Sequence, residues 1–241
     1  MSNFCVAMPA YNEAKKIGEA AALARSYAPL VLVVDDGSTD ATAAEAEAAG
    51  AEVARLPKNS GKGKALQTGF EIARRRGFEM VVTLDADGQH DPRDIPRFLE
   101  ARRRSNADAV LGARTENAEQ MPIHRRLNNR WISMVGSWLG GQRAPDFQCG
   151  FRLYRLEPLR SLRLETSGFE FESELLIQML RSGWKVEWTP IKAAYGDETS
   201  HVRAGREMAR FTRLFFRQLT PSKRYAMQRQ VRKEDAETLR A

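Results

Sequence analysis

The sequence predicts an α/β domain with a mostly parallel central sheet flanked by helices and an amphipathic helix near the C-terminus. Three observations predict it. Short apolar runs alternate with helical patterns through the first half, the sign of βαβ units. The chain has 241 residues, 42% of them hydrophobic, enough for one large α/β domain. Polar clusters follow the apolar runs at the points where successive strands should end.

In chain order, residues 4–8 read as a first strand closed by Pro9, followed by a helix over 13–26. Residues 30–34 form a buried strand. The Ala-rich run 40–49 is a helix stopped by Gly50. A third strand, 51–56, leads through a glycine-rich loop to a helix over 63–76. The fourth strand, 80–84, ends at Asp85-Ala86-Asp87, and a helix near 92–104 and a strand over 107–111 follow. The second half is less regular: an amphipathic helix over 125–139, a strand over 149–154, a helix over 170–181, an extended stretch from 185 to 189 and a helix over 203–219. Residues 1–220 are expected to form one domain, and 221–241 a polar, disordered tail.

Composition excludes several classes. The longest apolar runs are far shorter than the roughly 20 residues a membrane-crossing helix needs. The N-terminus lacks the basic stretch and apolar core of a signal peptide, so a cytoplasmic protein is expected. Cys5 and Cys149 lie far apart with no metal-ligand spacing, and read as two small buried side chains. Net charge is +7, with basic residues concentrated in 125–130 and 203–217. No nucleic-acid module with interleaved aromatics is present, so a phosphate ligand or an anionic membrane surface fits the charge better.

In parallel α/β sheets, ligands bind where loops converge at the carboxyl ends of strands. Four polar segments fall at such ends: Pro9-Ala10-Tyr11-Asn12-Glu13, Asp35-Asp36-Gly37-Ser38, Asn59-Ser60-Gly61-Lys62-Gly63 and Asp85-Ala86-Asp87-Gly88-Gln89. Any one of them could be an ordinary turn, but four on one edge point to a site. Asp85 and Asp87, either side of one small residue, can face a single cation together with Gln89. An oxygen-rich set of this kind suits Mg²⁺ or Mn²⁺. Residues 59–63 open a helix whose N–H groups could meet phosphate. No P-loop pattern occurs, and Lys62 and Lys64 read as flexible cations.

These four segments, in this order and spacing, resemble the family 2 glycosyltransferases of GT-A (nucleotide-diphospho-sugar transferase) fold. Gly112-Ala113-Arg114, Asp146 to Arg152, Phe169-Glu170-Phe171-Glu172-Ser173-Glu174-Leu175 and Ser200-His201-Val202-Arg203 resemble further motifs of the dolichol-phosphate mannosyltransferase-like, or polyprenyl-phosphate glycosyltransferase, branch. The resemblance covers about residues 3 to 216. It implies that Pro9, Tyr11 and Glu13 surround the nucleotide's base and ribose, with Asp36 on the nucleoside. Asp85, Ala86 and Asp87 would line the sugar-diphosphate, and Asp87 with Gln89 would hold the metal. Arg114 and one of Arg125 or Arg126 would face an acceptor phosphate, with catalytic weight on Asp85, Asp87, Arg114 and Arg126. His201 and Arg203 would cover the diphosphate. The branch often carries serine four residues after the second arginine; here Asn129 and Arg130 stand at the two equivalent distances, so both arginines stay open.

The implied reaction is inverting transfer of a hexose, mannose or glucose, from a nucleotide sugar to polyprenyl phosphate, with Mg²⁺ or Mn²⁺. A hydroxyl acceptor would need a general base, for which Glu170, Glu172 and Glu174 are the candidates, although acidic residues also favour a helix's first turn. Two alternatives remain: a transferase acting on a soluble or protein hydroxyl, and a non-catalytic, membrane-associated nucleotide-sugar-binding module. Trp131, Ile132, Met134, Val135, Trp138 and Leu139 form an apolar set on a helix that opens with arginines. Arg206, Arg210, Arg213 and Arg217 share one face of the last helix. That face could lie on an anionic membrane at the cytoplasmic side, or be a solvated stripe behind a packed apolar face.

Overall fold

Strand β1 (Phe4–Ala10) is buried along its whole length, as is β2 (Val31–Asp35), because each is covered on both faces. The computed structural model describes residues 3–195, the backbone of 204–209 and residues 210–219. The remaining strands are β3 (Glu52–Arg55), β4 (Met80–Thr83), β5 (Ala109–Ala113), β6 (Arg152–Arg155) and β7 (Val186–Pro190). They form one sheet in the order β3-β2-β1-β4-β6-β5-β7. Strands β1 to β4 are mutually parallel, β5 and β7 are parallel to each other, and β6 lies antiparallel between β4 and β5. The predicted class, α/β with a mostly parallel sheet flanked by helices, is the observed one.

Alternate residues of β1 enter two different cores. Phe4, Val6 and Met8 face α1 (Ala14–Arg25), α2 (Thr42–Ala48) and α4 (Ile95–Ser105). Cys5 and Ala7 face the other layer: α3 (Lys62–Arg75), α5 (Ile123–Gly140), α7 (Phe171–Arg181) and α8 (Ala204–Leu219). A short helix, α6 (Leu156–Leu159), leaves β6. Both cysteines are buried and free, as expected. Burial pushes each thiol up to about 12.

Pro9 does not close the first strand. It pairs with Val34 within β1, which runs on to Ala10. Proline's fixed φ is compatible with extended backbone, and one missing donor near a strand end is tolerable. The helix expected from residue 92 begins instead as a 3₁₀ turn over Pro92–Asp94, where Asp91 caps by accepting from the Arg93 N–H. No helix among the described residues is long and apolar enough to cross a membrane.

The direction of β6 matters most for the site. The carboxyl ends of β1, β2 and β3 line up at Ala10, Asp35 and Arg55. Because β6 runs the other way, its first residue, Arg152, pairs with Thr83 of β4 and Leu111 of β5 near that same edge. The segment from Asp146 to Phe151 is thereby delivered to the edge from its amino side.

Candidate active site

The loops after β1 and β2 are laced together. Asn12 adopts a left-handed φ of 56°, its N–H donates to Ser38 Oγ at 2.9 Å, and its Oδ1 accepts from the Thr39 N–H at 2.9 Å. The Glu13 N–H donates to Thr42 Oγ1 at 2.8 Å. Pro9, Tyr11, Glu13 and Asp36 are thus gathered on one stretch of the edge. Asp36 is buried and already engaged: its two oxygens accept the Ser60 and Gly61 N–H groups, each at 2.7 Å. Burial raises its carboxyl above the ordinary range, and those two donors oppose the rise. Asp36 therefore shapes the loop before α3, where Gly61 sits at a φ of 99° that a side chain would strain.

That loop delivers Lys62, which the sequence left as a flexible cation. Lys62 is instead buried, with Nζ 2.6 Å from Asp85 Oδ1 and 2.5 Å from Glu172 Oε2. Burial opposes its charge, but the two carboxylates outweigh burial and raise its pKa. Asp85 is correspondingly held below the usual carboxylate range against burial, chiefly by Lys62. Glu172 also lies 3.6 Å from the guanidinium of Arg152. Arg152, fully buried, donates to the carbonyls of Cys149, Phe147 and Glu172 at 2.5, 2.8 and 3.0 Å. The result is an alternating chain of charges, Asp85–Lys62–Glu172–Arg152, that ties the turn after β4 to the start of α7. Gly150 lets this happen, since a Cβ there would overlap the Asp85 carboxylate.

Asp87 faces Gln89 across the same turn. The Gln89 N–H donates to Asp87 Oδ1 at 3.0 Å and its side-chain amide to Oδ2 at 2.6 Å. The two side chains therefore meet half-buried, with the Gln89 amide nitrogen rather than its oxygen against the Asp87 carboxylate. Among the described residues no cluster of three or more His, Cys, Asp or Glu could hold a metal. Mg²⁺ and Mn²⁺ are commonly held by one or two carboxylates plus substrate phosphates, so the donor set fits such an ion. Ala86 is buried between the two aspartates.

The neighbouring part of the edge carries a buried ion pair and a neutral histidine. Arg114, after β5, forks onto Asp146 through Nε at 2.7 Å and Nη2 at 2.9 Å. Burial opposes the Arg114 charge and the Asp146 carboxylate raises its pKa despite that; in turn Arg114 holds buried Asp146 low. His90 lies between this pair and the aspartate turn, 4.0 Å from both Asp85 Oδ2 and Cys149 Sγ. Burial keeps it neutral, with a pKa lowered to about 4. On α5, Arg125 is half-buried and Arg126 exposed. Burial raises the Tyr195 hydroxyl, and the charges of Arg114 and Arg125 oppose the rise. Asn129 presents a buried Oδ1 with no hydrogen-bond partner.

The three glutamates divide. Glu172 belongs to the charge chain. Glu174 Oε2 accepts from the Glu165 and Thr166 N–H groups and the Thr166 hydroxyl at 2.7–3.0 Å, clipping the loop before α7. Glu170, buried, keeps Oε2 without a hydrogen-bond partner. Glu170, Glu172 and Glu174 thus open helix α7, as the sequence predicts. His201 and Arg203 lie outside the described residues, as does the tail. Lys62 and His90 were missed because a lysine between two glycines and a histidine after a turn carry no spacing signal.

Comparison with known proteins identifies the family. Residues 5–163 match the model of Glycosyl transferase family 2. The chain is 33% identical over 198 residues to an undecaprenyl-phosphate mannosyltransferase of Micrococcus luteus, covering 76% of this chain and 80% of that one. It is 30% identical over 235 residues to a UDP-N-acetylglucosamine–dolichyl-phosphate N-acetylglucosaminyltransferase of Methanococcus voltae, covering 88% and 93%. In structure it resembles Mycobacterium tuberculosis glucosyl-3-phosphoglycerate synthase, with a TM-score of 0.72, 20% identity and coverage of 92% and 82%. That enzyme has also been solved with Mn²⁺, uridine diphosphate and phosphoglyceric acid. The reading as a non-catalytic module is overturned by these relatives. The chain belongs to glycosyl transferase family 2 and is a glycosyltransferase.

Proposed function

We propose that the protein transfers a hexose, mannose or glucose, from a nucleotide sugar to a polyprenyl phosphate at the cytoplasmic face of a membrane, with inversion at the anomeric carbon. The observation that carries this reading is the meeting of two chemistries at one edge. The Asp85–Asp87 turn, suited to a sugar diphosphate and its cation, lies against the 146–150 segment through Gly150 and His90, and Asp146 of that segment holds Arg114, which with Arg125 of α5 suits an anionic acceptor. Two relatives about one-third identical, one of them a polyprenol monophosphomannose synthase of Mycolicibacterium smegmatis, carry names of the same kind.

In this reading Pro9, Tyr11 and Glu13 bind the nucleoside, and Asp36 acts by holding the 59–61 loop in place. Asp87 and Gln89 would hold Mg²⁺ or Mn²⁺, which when bound supplies positive charge to the leaving diphosphate. Asp85, pinned by Lys62, lines the sugar-diphosphate. Arg114 and Arg125 orient the acceptor phosphate, whose oxygen attacks the anomeric carbon while the bond to the nucleoside diphosphate breaks with its electron pair. Arg125 is the better of the two α5 arginines for this, because Arg126 is exposed. A phosphate acceptor is already ionised near neutral pH and needs no general base, in keeping with Glu172 and Glu174 being occupied elsewhere. His201 and Arg203 would cover the diphosphate.

The unpartnered oxygen of Glu170 favours a second reading, transfer to a soluble or protein hydroxyl with Glu170 as base. One assay separates them. Purified protein with Mg²⁺ or Mn²⁺, radiolabelled nucleotide sugars and polyprenyl phosphate is expected to yield labelled lipid. Label appearing only in soluble or protein product supports the second reading, and no labelled lipid from any common donor overturns the first.

A further inference from the structure

We infer that Phe169, with the carboxylates of Asp85 and Glu172, forms the subsite for the donor's sugar, and that this subsite takes an uncharged hexose. The inference rests on the reading that Asp85 lines the sugar-diphosphate. Phe169 stands just before α7 with its ring facing the Lys62 ammonium, Nζ lying 5.9 Å from the ring centroid. The same Nζ is 2.6 Å from Asp85 Oδ1 and 2.5 Å from Glu172 Oε2. One aromatic ring and two carboxylates are thus gathered around a single ammonium. The chain on either side of Phe169 is fixed against α3. The Ser167 carbonyl accepts from the Lys64 N–H at 3.1 Å, and the Thr166 carbonyl from the Gln67 side-chain amide at 3.2 Å. Phe171 packs so closely on Gly63 that a Cβ there would overlap it. Phe171 is fully buried, whereas Phe169 between these anchors keeps 43% of its surface exposed. An aromatic face beside a few placed polar groups is how small-molecule sites are commonly built.

A pyranose matches this arrangement. Its C–H groups are apolar and weakly positive, suited to the negative face of an aromatic ring. Its hydroxyls donate, and ionised carboxylates only accept. The isoprenoid chain of an acceptor would match the ring but not its surroundings. Hydrocarbon laid over Asp85, Lys62 and Glu172 would strip water from three charges and return no hydrogen bond. Charge narrows the sugar further. Lys62 is already divided between the two carboxylates, Arg152 is fully buried against three carbonyls, and Arg114 forks onto Asp146. The carboxylate of a uronic acid would therefore meet Asp85 and Glu172 with each of these cations engaged, and like charges brought together oppose binding.

The test is calorimetric titration of the full chain, with Mn²⁺, by UDP, UDP-glucose and UDP-glucuronate and by GDP, GDP-mannose and GDP-mannuronate. In the series whose base the protein prefers, the hexose nucleotide is expected to bind more tightly than its uronate by about tenfold or more. Phe169→Ala is expected to weaken the hexose nucleotide by about two- to tenfold, with the affinity for the bare diphosphate and the melting temperature unchanged. Equal affinity of the wild type for hexose and uronate overturns the inference. So does an equal loss for diphosphate and hexose nucleotide in Phe169→Ala, which would mark the ring as a support of the loop. A raised KM for polyprenyl phosphate with unchanged hexose-nucleotide affinity overturns it in favour of an isoprenoid contact. Absence of binding by all six ligands overturns it together with the reading of Asp85. Hexose-selective binding without labelled lipid defeats only the acceptor reading; labelled lipid formed equally from hexose and uronate donors defeats only the subsite.

Discussion

Lys62 lies between two carboxylates that belong to different parts of the chain, and its ammonium is what makes their burial tolerable. A buried charge pair adds little net stability over an apolar substitute, but removing one partner leaves an uncompensated charge. Lys62→Met should therefore lower unfolding free energy by about 3–5 kcal/mol, read by urea denaturation. Combined with Glu172→Gln, the loss should be smaller than the sum of the two single losses, because the pair is coupled. A single-variant loss below about 1 kcal/mol, the size expected of a solvated surface pair, would contradict the burial on which the charge chain depends. At this scale the sequence singled out the aspartates as chemistry-bearing, yet gave no hint that Lys62 is the partner of Asp85. The contact joins residue 62 to residues 85 and 172, and no local pattern encodes so distant a meeting.

Helix α5 shows what an element adds. Its buried side packs so closely that a Cβ on Gly136 would overlap the ring of Phe147. Gly136→Ala should thus push α5 outward from the 146–152 segment, at a cost of about 1–3 kcal/mol. Because α5 carries Arg125 and the 146–152 segment carries the partner of Arg114, the displacement should act on the acceptor side. The expected result in steady-state kinetics is a raised KM for the acceptor with little change in KM for the nucleotide sugar. Equal changes in both would show that the helix does not act selectively there. Periodicity predicted this helix to within two residues at each end. It did not divide the apolar set, since Ile132 and Trp131 are equally hydrophobic in a sequence and only the neighbouring α7 and α8 decide which is covered. On α8, Phe211, Leu214 and Phe215 are buried while Phe216 and Leu219 stay exposed, and Arg217 pairs with Glu165.

Across the whole molecule, buried groups tie stability to alkaline pH. The thiols of Cys5 and Cys149 and the hydroxyl of Tyr154 are each pushed up to about 12 by burial, from 9.0, 9.0 and 10.0. The unfolded chain sheds these protons first, so their contribution is complete below pH 9 and is lost as pH rises toward 12. Each thiol in this window removes about 1.4 kcal/mol per pH unit. The melting temperature should fall between pH 9 and 10, and the fall should be much shallower in Cys5→Ala/Cys149→Ala. An unchanged slope in that variant would assign the alkaline loss to other groups.

The sequence by itself determined the α/β class, the succession of strands and helices, and the polar clusters that cap the parallel strands. These follow from side-chain spacing and turn chemistry within short windows. Only the tertiary structure decided that β6 enters against the other strands, between β4 and β5, and so carries Asp146 and Gly150 to the edge where Arg114 and Asp85 wait. It alone decided that Lys62 is buried, that Asp36 holds a loop, and that α5 leaves a tryptophan-bearing face outside the core. Each of these depends on which distant segment arrives opposite a given residue, and strand order and helix packing are set by the total burial of the chain rather than by any local stretch of it.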